Sequence, residues 1–307
     1  MSTKQARKIA VVGGSGTIGT HIVAGLLDQG VHSVTVISRA DSSASFPAGV
    51  NVQKGDYSDE SFLLSALHGQ EVLVLALNHT GSSLQVPLIQ AAAKAGVKWI
   101  LPNEFGSDIN ATKLVSQIPM LSGKKQYRDL IEEVGLRWIA IVNNPWFDFS
   151  LEGGYWGLDL KKRAVKLYNG GETKFVTTTV ASAGRGVAGV LSLPDAELAK
   201  YENAPFYLSS FRISQKDILD SLLRVTGTKE NEWTVETLDA EEVLKIARAE
   251  LQSGNFHAAI QVLYVPHMIE GLGGDYSDKD IDMARLGVRP ENLDDVVKKV
   301  VEKVQAA

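Results

Sequence analysis

The 307-residue sequence contains no cysteine and has no excess of basic residues. Without cysteine, disulfides, cysteine-ligated zinc sites, iron–sulfur clusters and thiol catalysis are excluded, and we expect a cytoplasmic protein. The 31 Lys and Arg residues are outnumbered by 36 Asp and Glu residues, and they form no basic stripe. Nucleic-acid binders normally show such a stripe, so we expect no nucleic-acid partner.

Long apolar runs are also missing. The longest, such as residues 71–77, are far shorter than the roughly 20 residues of a membrane-spanning helix, so no membrane partner is expected. The N-terminal segment MSTKQARKIAVVGG carries basic residues, but its apolar run enters a glycine turn and no cleavage site follows. We interpret this segment as the first strand of the fold rather than as a signal peptide.

Short apolar runs alternate with segments of helical spacing through the first half of the chain. The runs are apolar along their whole length, which is typical of strands buried on both faces. Strand–helix alternation favours right-handed crossovers, and so predicts an α/β, Rossmann-like, doubly wound parallel sheet. The predicted strands are 8–13, 34–38, 51–56, 71–77, 99–105 and 137–143, and the intervening helices include 58–67, 83–95 and 122–134.

The pattern becomes irregular and rich in aromatic residues and glycine after Asn143. We therefore predict a Rossmann domain over residues 1–145 and a smaller, interrupted, mixed α/β lobe over 146–307 that binds the substrate. Segment 172–193 is predicted to return to the central sheet, with TKFVTTTV as a strand.

A glycine-rich turn joins the first strand to the first helix. It matches both G-x-G-x-x-G and G-x-x-G-x-x-G, and at the first βα turn of a parallel sheet this pattern predicts a dinucleotide site. Glycine tolerates positive φ and leaves backbone N–H groups bare, and the helix N-terminus adds partial positive charge for a diphosphate. A tight turn without a ligand is the alternative. The residues are Gly13, Gly14, Ser15, Gly16, Thr17, Ile18 and Gly19.

The end of the second strand, Ser38-Arg39, favours NADP(H) over NAD(H). NAD binders usually place an acid there for the ribose 2′-hydroxyl, whereas a guanidinium suits a 2′-phosphate. A solvated surface arginine is the alternative, and Asp41 could offset the preference. Asp56 and Tyr57, at the end of the third strand, form a polar and aromatic pair that could border the adenine. Asn78 and Asn103, near later strand ends, complete the polar candidates.

Several catalytic patterns are missing from the sequence. No Tyr has a Lys four positions later, no G-x-S-x-G elbow is present, and no H-E-x-x-H motif occurs among the six histidines. Standard short-chain dehydrogenase and hydrolase chemistry are therefore not favoured, and no metal site is expected.

The phrase AGVKWILPNEFGSD at 95–108, the glycine turn, Arg39 and Lys124-x-x-x-Arg128 carry a family resemblance. The chain resembles the isoflavone reductase-like and NmrA-like group of atypical short-chain dehydrogenases over about half its length. Asn103 departs from the group's usual Pro-Ser-Glu-Phe-Gly phrase. The resemblance implies that Phe105 lies near the nicotinamide and that a Lys on the following helix is the catalytic acid or base; Lys124 matches by spacing, with Lys125 as its competitor.

Lys124, Tyr127 and Ile131 share one face of a helix by their spacing. Burial near a dry cleft would lower the pKa of the Lys124 ammonium and suit it to donate a proton as hydride arrives at carbon. A solvated lysine is the alternative.

An aromatic cluster follows the sixth strand, at the sheet edge where α/β ligands bind. It contains Trp146, Phe147, Phe149, Tyr155 and Trp156, and either a flat hydrophobic substrate or core packing explains it. Tyr264 and His267 could donate hydrogen bonds to the substrate, with a structural histidine as the alternative.

These observations predict an NADPH-dependent reductase of secondary metabolism. It would transfer hydride to a hydrophobic, aromatic or polyketide-like small molecule, with Lys124 as the proton donor. A non-catalytic NAD(P) sensor that controls a protein partner needs the same glycine turn but no working lysine. An isomerase or cyclase that keeps the fold is a third hypothesis.

Overall fold

A central sheet dominates the molecule. The computed structural model describes residues 4–306, apart from the side chain of His79. The strands within this range are β1 (Lys8–Val12), β2 (Ser33–Arg39), β3 (Val50–Gly55), β4 (Val72–Leu75), β5 (Trp99–Leu101), β6 (Arg137–Val142), β7 (Leu158–Asp159), β8 (Ala164–Tyr168), β9 (Phe175–Thr177), β10 (Ala204–Tyr207), β11 (Phe211–Ile213) and β12 (Thr234–Leu238).

Helices cover both faces of this sheet and build most of the second lobe. The α-helices among the described residues are α1 (Thr17–Gln29), α2 (Glu60–Leu67), α3 (Gln85–Lys94), α4 (Thr112–Gln117), α5 (Pro119–Ser122), α6 (Lys125–Glu133), α7 (Phe147–Glu152), α8 (Val180–Leu191), α9 (Asp195–Leu198), α10 (Gln215–Thr226), α11 (Ala240–Gln252), α12 (Ala259–Tyr264) and α13 (Leu293–Ala306). None of these helices is long and apolar enough to cross a bilayer.

The central sheet has the order β10-β6-β5-β4-β1-β2-β3, and every neighbouring pair is parallel. Residues 9–12 of β1 and 72–75 of β4 are completely buried, because helices cover both faces. The predicted α/β, Rossmann-like, doubly wound fold is confirmed. The strand order reverses between β1 and β4, and in such sheets the crevice at this switch point binds ligands.

Segment 172–193 does not return to the central sheet as a strand, so that prediction is wrong. Within this segment only Phe175–Thr177 forms a strand, and it pairs antiparallel with β11 in a separate two-stranded sheet. Thr179 then caps α8 by accepting a hydrogen bond from the amide of Ser182 at 3.1 Å. The seventh central strand is instead β10, which pairs with β6.

Helix α8 packs directly on α1 and so covers one face of the sheet. The contact is made by glycines: a Cβ at Gly184 would lie 2.4 Å from the backbone carbon of His21, and one at Gly25 would lie 2.9 Å from the Gly184 carbonyl oxygen. The missing side chains let the two backbones approach closely. Segment 172–193 therefore rejoins the Rossmann part as a helix.

The second lobe has its own apolar core. Its three-stranded sheet has the order β12-β8-β7, and α10, α11 and α13 surround it. Trp156 is fully buried there and stacks on Phe175 with a centroid distance of 4.6 Å. The chain enters this lobe directly after β6, at the carboxyl end of that strand.

The glycine contact between α1 and α8 gives the first prediction. Gly184→Ala should lower the free energy of unfolding by about 1–3 kcal/mol, because its methyl group would press into rigid backbone of α1. Urea denaturation measures the change. Gly123→Ala is the matched control, since its Cβ would meet only Gln126 at 3.7 Å. Equal stability of both variants would show that the two helices can separate at little cost.

Candidate active site

The glycine turn lies at the switch point of the sheet. Gly13 has a φ of +80°, and a Cβ there would lie 2.1 Å from the carbonyl oxygen of Ala76, just after β4. A Cβ at Gly19 would lie 2.0 Å from the Gly13 carbonyl oxygen. The turn, the first turn of α1 and the end of β4 therefore pack backbone against backbone, and only glycine fits at both positions.

Helix α1 begins at Thr17, and its N-cap residue, Gly16, offers no side chain to cap the helix. The first amides of a helix have no partner within the helix, so they remain for a bound anion or for water. A crevice of about 390 Å³ opens over this turn. It is lined by Gly13, Gly14, Ser15, Gly16, Ser38, Arg39, Tyr57, Leu77 and Asn78, among others.

Arg39 stands at the rim of the crevice. Its side chain is 69% exposed, and its only ion pair among the described residues is with Asp41 at 3.5 Å. Such an exposed pair contributes at most about 1 kcal/mol, so it does not hold the guanidinium away from a phosphate.

Asp56 and Asn78 differ in their relation to the crevice. The Asp56 carboxylate accepts a hydrogen bond from the Ser58 amide at 2.8 Å, which lowers its pKa, and it lies outside the lining. Its neighbour Tyr57 lines the crevice instead and donates its hydroxyl to the Ile37 carbonyl at 2.9 Å. The Asn78 side chain lines the crevice and accepts from the Gly81 amide at 2.9 Å. Of the predicted pair Asp56-Tyr57, the tyrosine therefore lines the crevice and the aspartate does not.

An apolar cavity of about 320 Å³ adjoins the crevice, and Leu77 lines both. The cavity contains several predicted residues and several that sequence reasoning missed. Those predicted are Ile18, Asn103, Phe105, Lys124, Trp146, Phe149 and Tyr264. Those missed include Ser82, Ser107, Met120, Leu121 and Leu263. Ser107 was within reach of sequence analysis, because it lies within the family phrase at 95–108, shortly after β5.

Lys124 immediately precedes α6 and is half-buried. Its Nζ donates a hydrogen bond to the Asn103 carbonyl at 3.0 Å. Burial lowers the pKa of this ammonium, the nearby Glu104 partly opposes that effect, and Arg128 adds to it. Lys125 is exposed and pairs with Asp129 on its own helix, so the structure places Lys124 in the cavity rather than Lys125.

A buried ion pair between Glu104 and Arg128 connects the segment after β5 to α6, next to Lys124. Arg128 donates from Nε and Nη2 to the two carboxylate oxygens of Glu104, at 2.8 and 2.7 Å. The guanidinium also lies over the Trp138 ring at 4.3 Å. Because Arg128 is one turn after Lys124, the pair ties α6 to the segment after β5. This contact joins Glu104 of the family phrase to Arg128 of the Lys124-x-x-x-Arg128 motif.

The aromatic cluster divides between cavity and core. Trp146 and Phe149 line the cavity, whereas Phe147 is fully buried and packs edge-on against Phe211 at 5.3 Å. Tyr155 contacts Phe149 and Tyr264 from behind, outside the cavity lining. The predicted substrate contacts of Phe147 and Tyr155 are therefore corrected to packing roles.

His267 is also corrected from a substrate contact to a supporting residue. It is 1% exposed, its Nδ1 lies 2.9 Å from the Leu263 carbonyl, and its Nε2 lies 2.8 Å from Ser107 Oγ. Burial lowers its pKa to about 4, so the ring is neutral at physiological pH. It reaches the cavity only through Ser107. Within residues 4–306 no group of three His, Asp or Glu side chains could hold a metal ion.

The buried His267 predicts a loss of stability in acid. Its pKa falls from 6.5 to about 4 on folding, so the unfolded chain binds more protons between these values and stability decreases as the pH falls through them. The shift corresponds to a free energy on the order of 3 kcal/mol. We expect His267→Phe to flatten the pH dependence of urea unfolding between about pH 7 and about pH 5.

The exposed His257 supplies the control for this measurement. His257→Phe should keep the wild-type pH dependence. If His267→Phe keeps it as well, the buried imidazole does not contribute to the acid sensitivity.

Comparisons with known proteins agree with this architecture. Oxidoreductase aprR of Aspergillus flavus is 31% identical over 306 residues, covering 96% of this chain and 99% of the relative. Among solved structures, AtPrR2 with NADP+ and (+)pinoresinol has a TM-score of 0.78 at 20% identity, and an isoflavone reductase has 0.78 at 22%; each match covers 96% of this chain and 99% of the other. These two structures support the fold alone.

The family model that matches the chain carries the description "NmrA-like family" and covers residues 5–148, which include the glycine turn, Arg39 and Lys124. The full-length likeness to aprR extends the relationship over the second lobe. The resemblance read from the sequence is thereby confirmed: the chain belongs to the NmrA-like family.

Proposed function

We propose that the protein is an NADPH-dependent reductase that transfers hydride to an electrophilic carbon of a hydrophobic, aromatic or polyketide-like small molecule, with Lys124 as proton donor. One observation carries the proposal: the crevice over the glycine turn and the cavity with Lys124 share Leu77 as a wall. A dinucleotide whose diphosphate lies on the turn would reach that cavity with its other end. The oxidoreductase class agrees with the full-length relative aprR.

NADP(H) fits the residues of the crevice. The turn has no room for side chains at Gly13 and Gly19, which is the backbone cradle a diphosphate needs. The Arg39 guanidinium is free to pair with a 2′-phosphate, and Tyr57 offers a ring beside it. AtPrR2, which shares the fold, was solved with NADP+. When bound, the cofactor would supply the hydride.

Lys124 has the geometry of a proton donor. Its bond to the Asn103 carbonyl uses one of three N–H groups and orients the ammonium, leaving two for a substrate oxygen. The lowered pKa brings this group closer to neutrality, and proton transfer to the substrate becomes easier as negative charge develops there. Glu104 and Arg128 position the helix end from which Lys124 extends.

The cavity favours a flat hydrophobic substrate. Phe105, Trp146, Phe149 and Tyr264 provide aromatic surface, and a volume of about 320 Å³ lies within the range of small-molecule sites. Binding in such a cavity removes water from around the reacting carbon. The lower local dielectric then strengthens the electrostatic attraction between the Lys124 ammonium and the negative charge that develops on the substrate.

Replacement of Lys124 tests the catalytic assignment. Lys124→Met should lower kcat for NADPH oxidation by about 10²–10⁴-fold while NADPH affinity is retained, since general acid catalysis contributes this much. Lys125→Met, the exposed neighbour, should keep the wild-type rate. The acceptors for the assay are (+)-pinoresinol, menadione and crystal violet. The wild-type rate should fall as the pH rises and Lys124 deprotonates, with a midpoint below 10.5.

A full rate in Lys124→Met would exclude Lys124 as the proton donor. Tight NADPH binding without turnover of any of the three acceptors would instead favour the non-catalytic sensor.

Replacement of Arg39 tests the cofactor preference. Arg39→Ala should weaken the binding of NADPH by about 10–100-fold and leave the affinity for NADH nearly unchanged, because only NADPH carries the additional phosphate. Isothermal titration calorimetry measures both affinities. Lys54→Ala, which removes a nearby exposed cation bonded to the Ser42 carbonyl, controls for the general loss of positive charge. Equal weakening of NADPH and NADH by Arg39→Ala would contradict the assignment.

A further inference from the structure

Among the residues that line the apolar cavity, Ser82, Ser107 and Tyr264 carry hydroxyl groups, and the hydroxyls of Ser107 and Tyr264 are hydrogen-bonded to side chains behind the cavity wall. A hydroxyl has one proton to donate and two lone pairs to accept with. The partners of each group determine whether it can still donate to a substrate or can only accept.

The hydrogen-bond partners of His267 determine the direction of the Ser107 bond. The Leu263 carbonyl can only accept, so His267 Nδ1, at 2.9 Å, carries the proton. In the neutral ring Nε2 then has a lone pair, and it accepts the Ser107 hydroxyl proton at 2.8 Å. Ser107 is therefore left with lone pairs only.

The same argument applies to Tyr264. Ser150 donates its hydroxyl proton to the Trp146 carbonyl, which can only accept. Ser150 Oγ must then accept the proton of the Tyr264 hydroxyl, 2.8 Å away. The hydroxyls of Ser107 and Tyr264 thus both direct their protons into the protein.

From this arrangement we infer that Ser107 Oγ accepts a hydrogen bond from a hydroxyl group of the substrate, so that the preferred substrate is a hydroxylated aromatic or polyketide-like molecule. His267 is the positioning residue that keeps Ser107 an acceptor. The inference rests on the proposed function only in placing the substrate in this cavity. An ether or carbonyl oxygen at the same point would face lone pairs without a proton between them, which is unfavourable.

Equilibrium binding of two matched probes tests the inference without requiring turnover. 2-Naphthol has a hydroxyl donor, and 2-methoxynaphthalene has a methyl ether in its place. The NADP+-loaded wild type should bind 2-naphthol about tenfold more tightly, as followed by the fluorescence of the naphthalene ring.

Ser107→Ala should remove this preference because the variant binds 2-naphthol more weakly. Ser107→Thr keeps the hydroxyl and should retain the preference. If the preference came from the size of the methyl group alone, it would survive in Ser107→Ala. That outcome would overturn the inference, as would equal binding of the two probes, or no saturable binding of 2-naphthol, in the wild type.

His267→Phe provides a second, opposite readout. Without the imidazole acceptor the Ser107 proton is free to turn toward the cavity, so binding of 2-methoxynaphthalene should improve and the ratio should approach one. An unchanged tenfold ratio in a folded His267→Phe variant would contradict the role of His267. If this variant does not fold, the Ser107 variants decide.

The probe-binding ratio tests the role of Ser107, and the NADPH assay tests the proposed reductase, so one hypothesis can be refuted without the other. Loss of the probe preference with intact turnover would refute the role of Ser107 alone. A clear preference without turnover would refute the proposed reductase alone.

Discussion

The backbone contact between the glycine turn and the end of β4 is the constraint on which the site depends. Gly13 and Gly19 bring the turn, the first turn of α1 and Ala76 so close that no side chain fits between them. This contact leaves backbone amides at the switch point of the sheet and places Leu77 at the junction of crevice and cavity. The same backbone contact thus shapes the crevice for a dinucleotide and determines where that crevice meets the cavity.

The buried pair of Glu104 and Arg128 solves a separate problem, the placement of one lysine. A buried ion pair contributes little net stability once desolvation is counted, but its two parallel hydrogen bonds permit few relative positions of the segments it joins. Those segments carry Asn103 and Lys124, whose own hydrogen bond lies beside the cavity. The pair therefore contributes geometry, and burial of the ammonium contributes the lowered pKa.

Polarity in the cavity follows from residues behind its wall. His267 and Ser150 touch the cavity only through Ser107 and Tyr264, yet they determine where two hydroxyl protons lie. The Lys124 ammonium has N–H groups left to donate, whereas the hydroxyls of Ser107 and Tyr264 are left as acceptors. Such a division suits a substrate that accepts a proton at one end and donates a hydrogen bond at another.

Local sequence pattern determined the parallel sheet and the glycine turn, because continuous apolar strands and the spacing of glycines involve only a few neighbouring residues. The family resemblance, more than local pattern, singled out Lys124. Tertiary structure decided what depends on distant segments: that α8 rather than a strand covers α1, that Phe147 is core while Phe149 lines the cavity, and that His267 faces Ser107, 160 positions earlier. Sequence periodicity places a residue on a face of its own element, but the partner of that face is set by packing between elements.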